Sequence, residues 1–199
     1  MQLLETIRFN LGSFSNLDLH QERLNSSRKI LFNCTDEIDL NLALASYTTK
    51  IQSSQLHKCR VVYDTEIRYV EFIPYKIPII NSLKMVNCDE IKYDHKYAVR
   101  DGINNLMLHK DNADDIIIIK NGLITDTSYG NLLFFNGLQW VTPAQPLLKG
   151  TQRAKLLKQE QIITAEIRPA DLANFTKVRI INAMLRFEDK MDVVVNKIY

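Results

Sequence analysis

The sequence predicts an α+β protein in two parts, a smaller one over residues 1–88 and a larger one over residues 89–199. Three observations predict it. A strand-like opening is followed at once by helical spacing; two Asn-Gly pairs flanked by apolar segments mark hairpins later on; and the pattern changes near residue 88 without a repeat or low-complexity linker.

In chain order, Leu3 to Phe9 reads as a short strand ended by Gly12 and a polar turn. Asn16 then serves as the N-cap of a helix, because Leu17, His20, Leu24, Ser27 and Leu31 recur at helical spacing and put His20 and Arg23 one turn apart. Asp36 caps a second helix through about Thr49 in one reading. Ile38, Leu40, Leu42 and Leu44 also alternate with period two, so helix and strand both stay open there. Residues 58–63 and 67–73 read as a hairpin around Asp64-Thr65-Glu66, and residues 82–87 as a further strand, with Pro74 and Pro78 marking an edge or connection.

In the second part a helix is expected from about Lys96 to His109. The run Ile116-Ile117-Ile118-Ile119 is short and β-branched, which predicts a buried strand. Asn121-Gly122 and Asn136-Gly137 extend it into a hairpin meander through Trp140. Thr142 to Pro146 is a loop, and Gly150-Thr151 opens a helix carrying Arg153, Leu156 and Leu157. Short strands at 162–167, 177–182 and 192–198 follow, with a helix after Pro169.

The chain of 199 residues is 46% hydrophobic, enough for a core, and its 25 basic and 23 acidic residues leave a net charge of +2. So small and dispersed a charge is no nucleic-acid footprint, and small-molecule chemistry is favoured. Cys34, Cys59 and Cys88 are odd in number and far apart, so they predict neither disulfides nor a zinc site but core thiols in a reducing cytoplasm. No metal site is expected. Met1 leads straight into Gln-Leu-Leu-Glu, and nothing there predicts export or a membrane span.

The chemistry concentrates between Lys96 and Arg153. Four of the six glycines, Gly122, Gly130, Gly137 and Gly150, cluster in the later part of this stretch, between residues 122 and 150. Along it come a lysine followed four positions later by Arg100, a carboxylate at Asp126 just past a tight turn, and Gly150-Thr151-Gln152-Arg153 at a helix start, where free N–H groups favour a phosphate. An aldehyde-phosphate cofactor would need groups of these kinds.

In this order the segments resemble the class IV aminotransferase family, the fold-type IV pyridoxal-phosphate enzymes that include aminodeoxychorismate lyase. Glu5-Thr6-Ile7-Arg8 is similar to the family's first core strand and His20-Gln21-Glu22-Arg23-Leu24 to its H-x-x-R-L helix. Lys96 to Arg100 is similar to its K-x-x-x-R segment, Thr125-Asp126 through Asn131-Leu132 to its T-E-x-x-x-x-N strand pair, and Leu148 to Arg153 to its phosphate-binding helix start. The resemblance implies pyridoxal phosphate held by Lys96 as a Schiff base, with Lys96 also moving the substrate's α-proton. It implies Asp126 on the pyridine nitrogen, and a phosphate held by Arg23 and by Gly150, Thr151 and Gln152, with Asn182-Ala183 as a last phosphate-contact turn. Asp126 stands where most members carry glutamate. The chain starts at the family's first well-marked strand, so an N-terminally shortened member is expected. The resemblance further implies a cytoplasmic homodimer acting on a small amino substrate, by 4-amino-4-deoxychorismate lyase chemistry that releases pyruvate and an aromatic amine, or by branched-chain or D-amino acid aminotransfer. A non-catalytic relative serving as a binding module is the alternative from another class. His20, His95 and His109 are given no chemistry.

Overall fold

Strand β1 (Leu3–Asn10) is buried on both faces along most of its length, and a strand so placed must be covered from all sides. In the computed structural model, which describes residues 1–48 and 55–199, two units form: Met1–Ile77 with His95–Val99, and Pro78–Asp94 with Arg100–Tyr199. The sequence reading divides the chain at residue 88. The units instead divide after Ile77, and residues 95–99 return to the first unit because their backbone bonds to β1.

In the first unit β1 turns through Leu11-Gly12 into β2 (Ser13–Phe14) and lies between β2 and β3 (His57–Tyr63), with β4 (Ile67–Pro74) outermost. All neighbouring strands here are antiparallel. Pro74, which cannot donate to a ladder, closes the edge strand. Helix α1 (Leu17–Phe32) follows Asn16, which sits at the N-cap with φ 53° and makes no side-chain cap bond. Its Leu24 packs with Leu3, Ile7, Cys59, Val61 and Tyr63, and with Leu40 and Leu44 of α2 (Leu40–Thr48). The helical alternative for this second segment is the one that forms; it starts after Asp39, whose carboxylate accepts from the N–H groups of Asn41 and Leu42, rather than at Asp36. Its expected end at Thr49 lies outside the described residues. Asp36 instead accepts from the buried Arg28.

In the second unit β5 (Leu83–Asn87) pairs in parallel with β6 (Asp115–Lys120), the predicted isoleucine strand, which is buried except at its last residue. The meander β6, β7 (Leu123–Thr127), β8 (Asn131–Phe135), β9 (Trp140–Pro143) is antiparallel throughout. Asn121 and Gly122 both have positive φ, 52° and 73°, the geometry of a two-residue hairpin turn. At the second Asn-Gly pair only Gly137 does. The loop there is longer, and the Asn136 side chain accepts from the N–H groups of Leu138 and Gln139. Helix α4 (Thr151–Lys158) leads to β10 (Ile163–Ala165), parallel to β9, and β11 (Lys177–Ile181) lies between β8 and β12 (Asp192–Val194). The segment after Pro169 is a 3-10 helix to Asn174, and the expected last strand stops at Val194 and becomes a 3-10 turn. Ile117, Ile119, Leu132, Phe134, Val178 and Ile180 form the core.

The largest difference from expectation is at Lys96. No helix runs from Lys96 to His109: α3 spans Asp101–Met107, with Arg100 as its N-cap. Lys96 to Ala98 are drawn out along β1, since Leu4 N–H donates to the Lys96 carbonyl at 2.9 Å and Ala98 N–H to the Gln2 carbonyl at 2.9 Å. Lys96 and Arg100 therefore do not share a helix face.

Cys59 is buried, and burial pushes its thiol up to about 12; Cys34 and Cys88 are half-buried rather than core residues, and all three are free thiols. Among the described residues no helix is long and apolar enough to cross a membrane, and no group of three His, Cys, Asp or Glu side chains could hold a metal ion.

Candidate active site

The first unit carries Lys96 and Arg23. Because residues 96–98 are held against the start of β1, the lysine is presented by a segment tied to it by two backbone hydrogen bonds instead of by a fraying helix start. Next to Leu4 in β1 is Glu5, which is fully buried. Its Oε2 accepts from His20 Nδ1 at 2.5 Å and from Arg23 Nη2 at 2.5 Å, and its Oε1 from Arg23 Nε at 2.9 Å. Burial alone would raise the Glu5 pKa. The Arg23 charge and the His20 and Arg23 hydrogen bonds outweigh it and hold the carboxyl at about 2. The His20 pKa is lowered too, which for a histidine favours the neutral form: burial lowers it, the Glu5 bond and charge oppose that, and the charges of Arg23 and Lys96 lower it further.

The second unit carries the remaining expected residues, Asp126, Gly150, Thr151, Gln152, Asn182 and Ala183, gathered near the first residue of β8. Asp126 is buried; its Oδ1 accepts from Asn131 Nδ2 at 2.8 Å and its Oδ2 from the Leu148 N–H at 2.9 Å. Burial is the largest influence and raises its pKa to about 6, against those two hydrogen bonds and the charge of Arg153. Asn131 Nδ2 also donates to the Leu148 carbonyl at 2.8 Å, so one side chain ties the carboxylate to the loop that enters α4. Gly150 is the N-cap of α4. Its backbone φ of −70° suits any residue, but a Cβ there would drive into Asn131 Oδ1, so only glycine lets the helix start approach this closely. Thr151, Gln152 and Arg153 are all buried in the first turn, and Arg153 anchors the helix to β9 through the Pro143 carbonyl at 2.9 Å. Asn182 follows β11, where its Oδ1 accepts from the N–H groups of Met184 and Leu185 and its Nδ2 donates to the Tyr129 carbonyl at 3.2 Å. Ile181 pairs with Asn131, which places the Asn182-Ala183 turn beside the Asp126 and Asn131 pair.

Sequence reasoning did not anticipate the buried bonds of Glu5 to His20 and Arg23, nor the Asn131 bridge. A carboxylate inside an otherwise apolar strand was the available signal for Glu5.

These groups fit pyridoxal phosphate. A buried carboxylate bonded by neutral amides and kept high by desolvation is a ready acceptor for a cationic ring N–H. A glycine-opened helix start offers N–H groups to a phosphate, and a lysine supplies the amine that an aldehyde requires. Gly150→Ala is expected to push Asn131 off Asp126 and the Leu148 carbonyl, costing about 1–3 kcal/mol of stability and lowering the melting temperature of the cofactor-free protein.

The fold and these groups define a pyridoxal-phosphate enzyme of mixed α+β architecture. A protein from Haemophilus influenzae without an assigned function is 39% identical over 183 residues, which cover 92% of this chain and 97% of that one. A crystal structure from Haemophilus somnus 129PT, named a candidate 4-amino-4-deoxychorismate lyase, is 38% identical with a TM-score of 0.87, covering 94% and 97% of the two chains. A candidate amino-acid aminotransferase from Mesorhizobium loti shares the fold at 20% identity, with a TM-score of 0.80 and coverage of 100% and 99%. The family profile described as amino-transferase class IV matches residues 2–187, and the chain belongs to that family.

Proposed function

We propose that the chain acts as a 4-amino-4-deoxychorismate lyase, releasing pyruvate and 4-aminobenzoate, an aromatic amine used in folate biosynthesis. The observation that carries this reading is the 38% identity, over nearly the full length of both chains, with the Haemophilus somnus protein of that candidate name.

When bound, pyridoxal phosphate draws electrons from the bond-breaking carbon of an amino substrate. The residues do the rest. Lys96 would hold the cofactor covalently, and its Nζ would take the substrate's α-proton and return a proton. Asp126 keeps a proton on the ring nitrogen; the shorter side chain, compared with glutamate, is fixed by Asn131 and the Leu148 N–H so that its position does not drift. Arg23 and the first N–H groups of α4, with Thr151 and the Asn182-Ala183 turn, bind and orient the phosphate. Arg23 enters this task with Nε and Nη2 bonded to Glu5, which fixes the guanidinium plane. Arg23→Ala is expected to weaken cofactor affinity by roughly tenfold or more, from the loss of a charge-assisted bond of about 1.5–3 kcal/mol, while turnover at saturating cofactor changes less. Equilibrium titration with pyridoxal phosphate measures it.

The reading includes a homodimer in the cytoplasm, which light scattering on the purified protein tests against the 23.1 kDa of one chain. Incubation with 4-amino-4-deoxychorismate tests the reaction itself: pyruvate and 4-aminobenzoate should appear without any keto acid being consumed. Aminotransfer, the activity in the family's description, gives the opposite result. An amino donor alone would then convert the cofactor to its amine form, and a keto acid would restore it.

A further inference from the structure

The trio Glu5, His20 and Arg23 needs a reason beyond packing. Apolar side chains of similar volume commonly replace a buried ion pair at no loss of stability, so a fully buried carboxylate in the middle of a core strand is not there for the core's sake. Its location suggests the reason, since Glu5 adjoins Leu4, the residue whose N–H bonds the Lys96 carbonyl. We propose that Glu5 is a positioning residue for Lys96: its carboxylate holds His20 and Arg23 in one arrangement, so that the imidazole next to the lysine is neutral, carries its proton on Nδ1 and presents Nε2 as an acceptor. What Lys96 does with this setting rests on the cofactor reading above; the setting itself rests on the first unit alone.

The argument has three steps. The Glu5 carboxylate can only accept, so the 2.5 Å contact requires a proton on His20 Nδ1. A second proton, on Nε2, would make a fully buried imidazolium; burial, with the charges of Arg23 and Lys96, disfavours it by more than the Glu5 bond and charge favour it. The neutral Nδ1–H form is what remains. Third, the negative charge of Glu5 offsets that of Arg23, so Lys96 works near a balanced pair rather than a bare guanidinium. The groups acting on His20 are Glu5 from β1, Arg23 from its own helix and Lys96 from the returning segment; those acting on Glu5 are Arg23 and His20. Tyr63 of β3 faces Glu5, Arg23 and Arg28 with its phenol pushed up by burial and so uncharged, and His95 shares a 3.2 Å hydrogen bond with Ser27 of α1.

Removing the charge of Glu5 unbalances Arg23 and disfavours a proton on the Lys96 nitrogen. In the holoenzyme, Glu5→Gln is expected to lower by about one pH unit the midpoint at which the visible absorption of the lysine-bound cofactor titrates, and Glu5→Asp to restore most of it. An unchanged midpoint in Glu5→Gln overturns the proposal. Nitrogen-15 NMR of histidine-labelled protein without cofactor provides the second arm, with the His20 signals assigned by their loss in His20→Gln. The expected pattern is the neutral Nδ1–H tautomer, constant from about pH 5.5 to 8. A proton on Nε2, or titration within that range, overturns the proposal even if Glu5→Gln does not fold. Failure of the cofactor reading is separately visible: borohydride would then leave Lys96 unlabelled while the NMR pattern still decides the state of His20.

Discussion

Lys96→Ala is expected to leave a folded protein that no longer retains pyridoxal phosphate covalently and turns over slower by a factor on the order of 10³ or more. On the proposed reading two functions are lost at once, the amine that carries the cofactor and the base that moves the α-proton, and proton transfer alone contributes roughly 10²–10⁴. The fold should tolerate the change, because the Leu4 and Ala98 bonds that dock residues 96–98 involve only backbone groups. Borohydride reduction of the wild type followed by peptide mapping should label Lys96. A label on Lys92 or Lys110 would overturn the assignment, as would a Lys96→Ala protein that still yields a labelled peptide.

The second large effect is expected at Asp126. Asp126→Asn should keep the cofactor but slow turnover on the order of 10²–10³-fold, since a neutral partner no longer holds the ring nitrogen protonated. The variant also has one acceptor oxygen where the carboxylate has two, so either Asn131 or the Leu148 N–H loses its bond. A pH signature separates this from general damage. The carboxyl has a folded pKa of about 6 against an ordinary 3.8, so the folded state binds the proton more tightly than the unfolded state does. Stability without cofactor therefore falls as pH rises between those values, by roughly 3 kcal/mol at 1.36 kcal/mol per unit. Urea midpoints measured across that window should decline in the wild type, and this contribution should be missing in Asp126→Asn. Glu5 contributes with the opposite sign, its stabilisation being lost as pH falls from 4.5 towards about 2, so the two oppose each other between pH 3.8 and 4.5 and the Asp126 decline is read above pH 4.5.

What could be read in advance was local. The isoleucine strand, the Asn121-Gly122 turn and the helix start at Gly150 each follow from a few neighbouring residues, and so were legible. Lys96 was misread as helical because what decides its conformation is a strand at the other end of the chain, where Leu3 bridges Tyr97. Nothing in the residues around position 96 encodes that pairing. The carboxylate at Asp126 and the helix start at Gly150 were legible as chain features, but the Asn131 amide joining them depends on the register of β8 with β7, which a single chain pattern does not specify. For the same reason the three-donor setting of Glu5 was out of reach: α1 and β1 have to pack before a carboxylate among leucines makes sense.

The docking of residues 96–98 also has a bearing on the order of events during synthesis. The side of β1 opposite β3 is covered at one end by β2 and at the other by this returning segment. A growing chain emerges from its N-terminus, so β1 to β4 can assemble early while that flank of β1 stays open until residues through Val99 have been made. In the second unit Met85 N–H likewise donates to the carbonyl of Tyr199, which is made after every strand of its sheet. Each sheet is thus sealed by a piece made after its strands. In the first, the sealing piece is the one that bears Lys96, so the lysine is presented only when the sheet beneath it is complete.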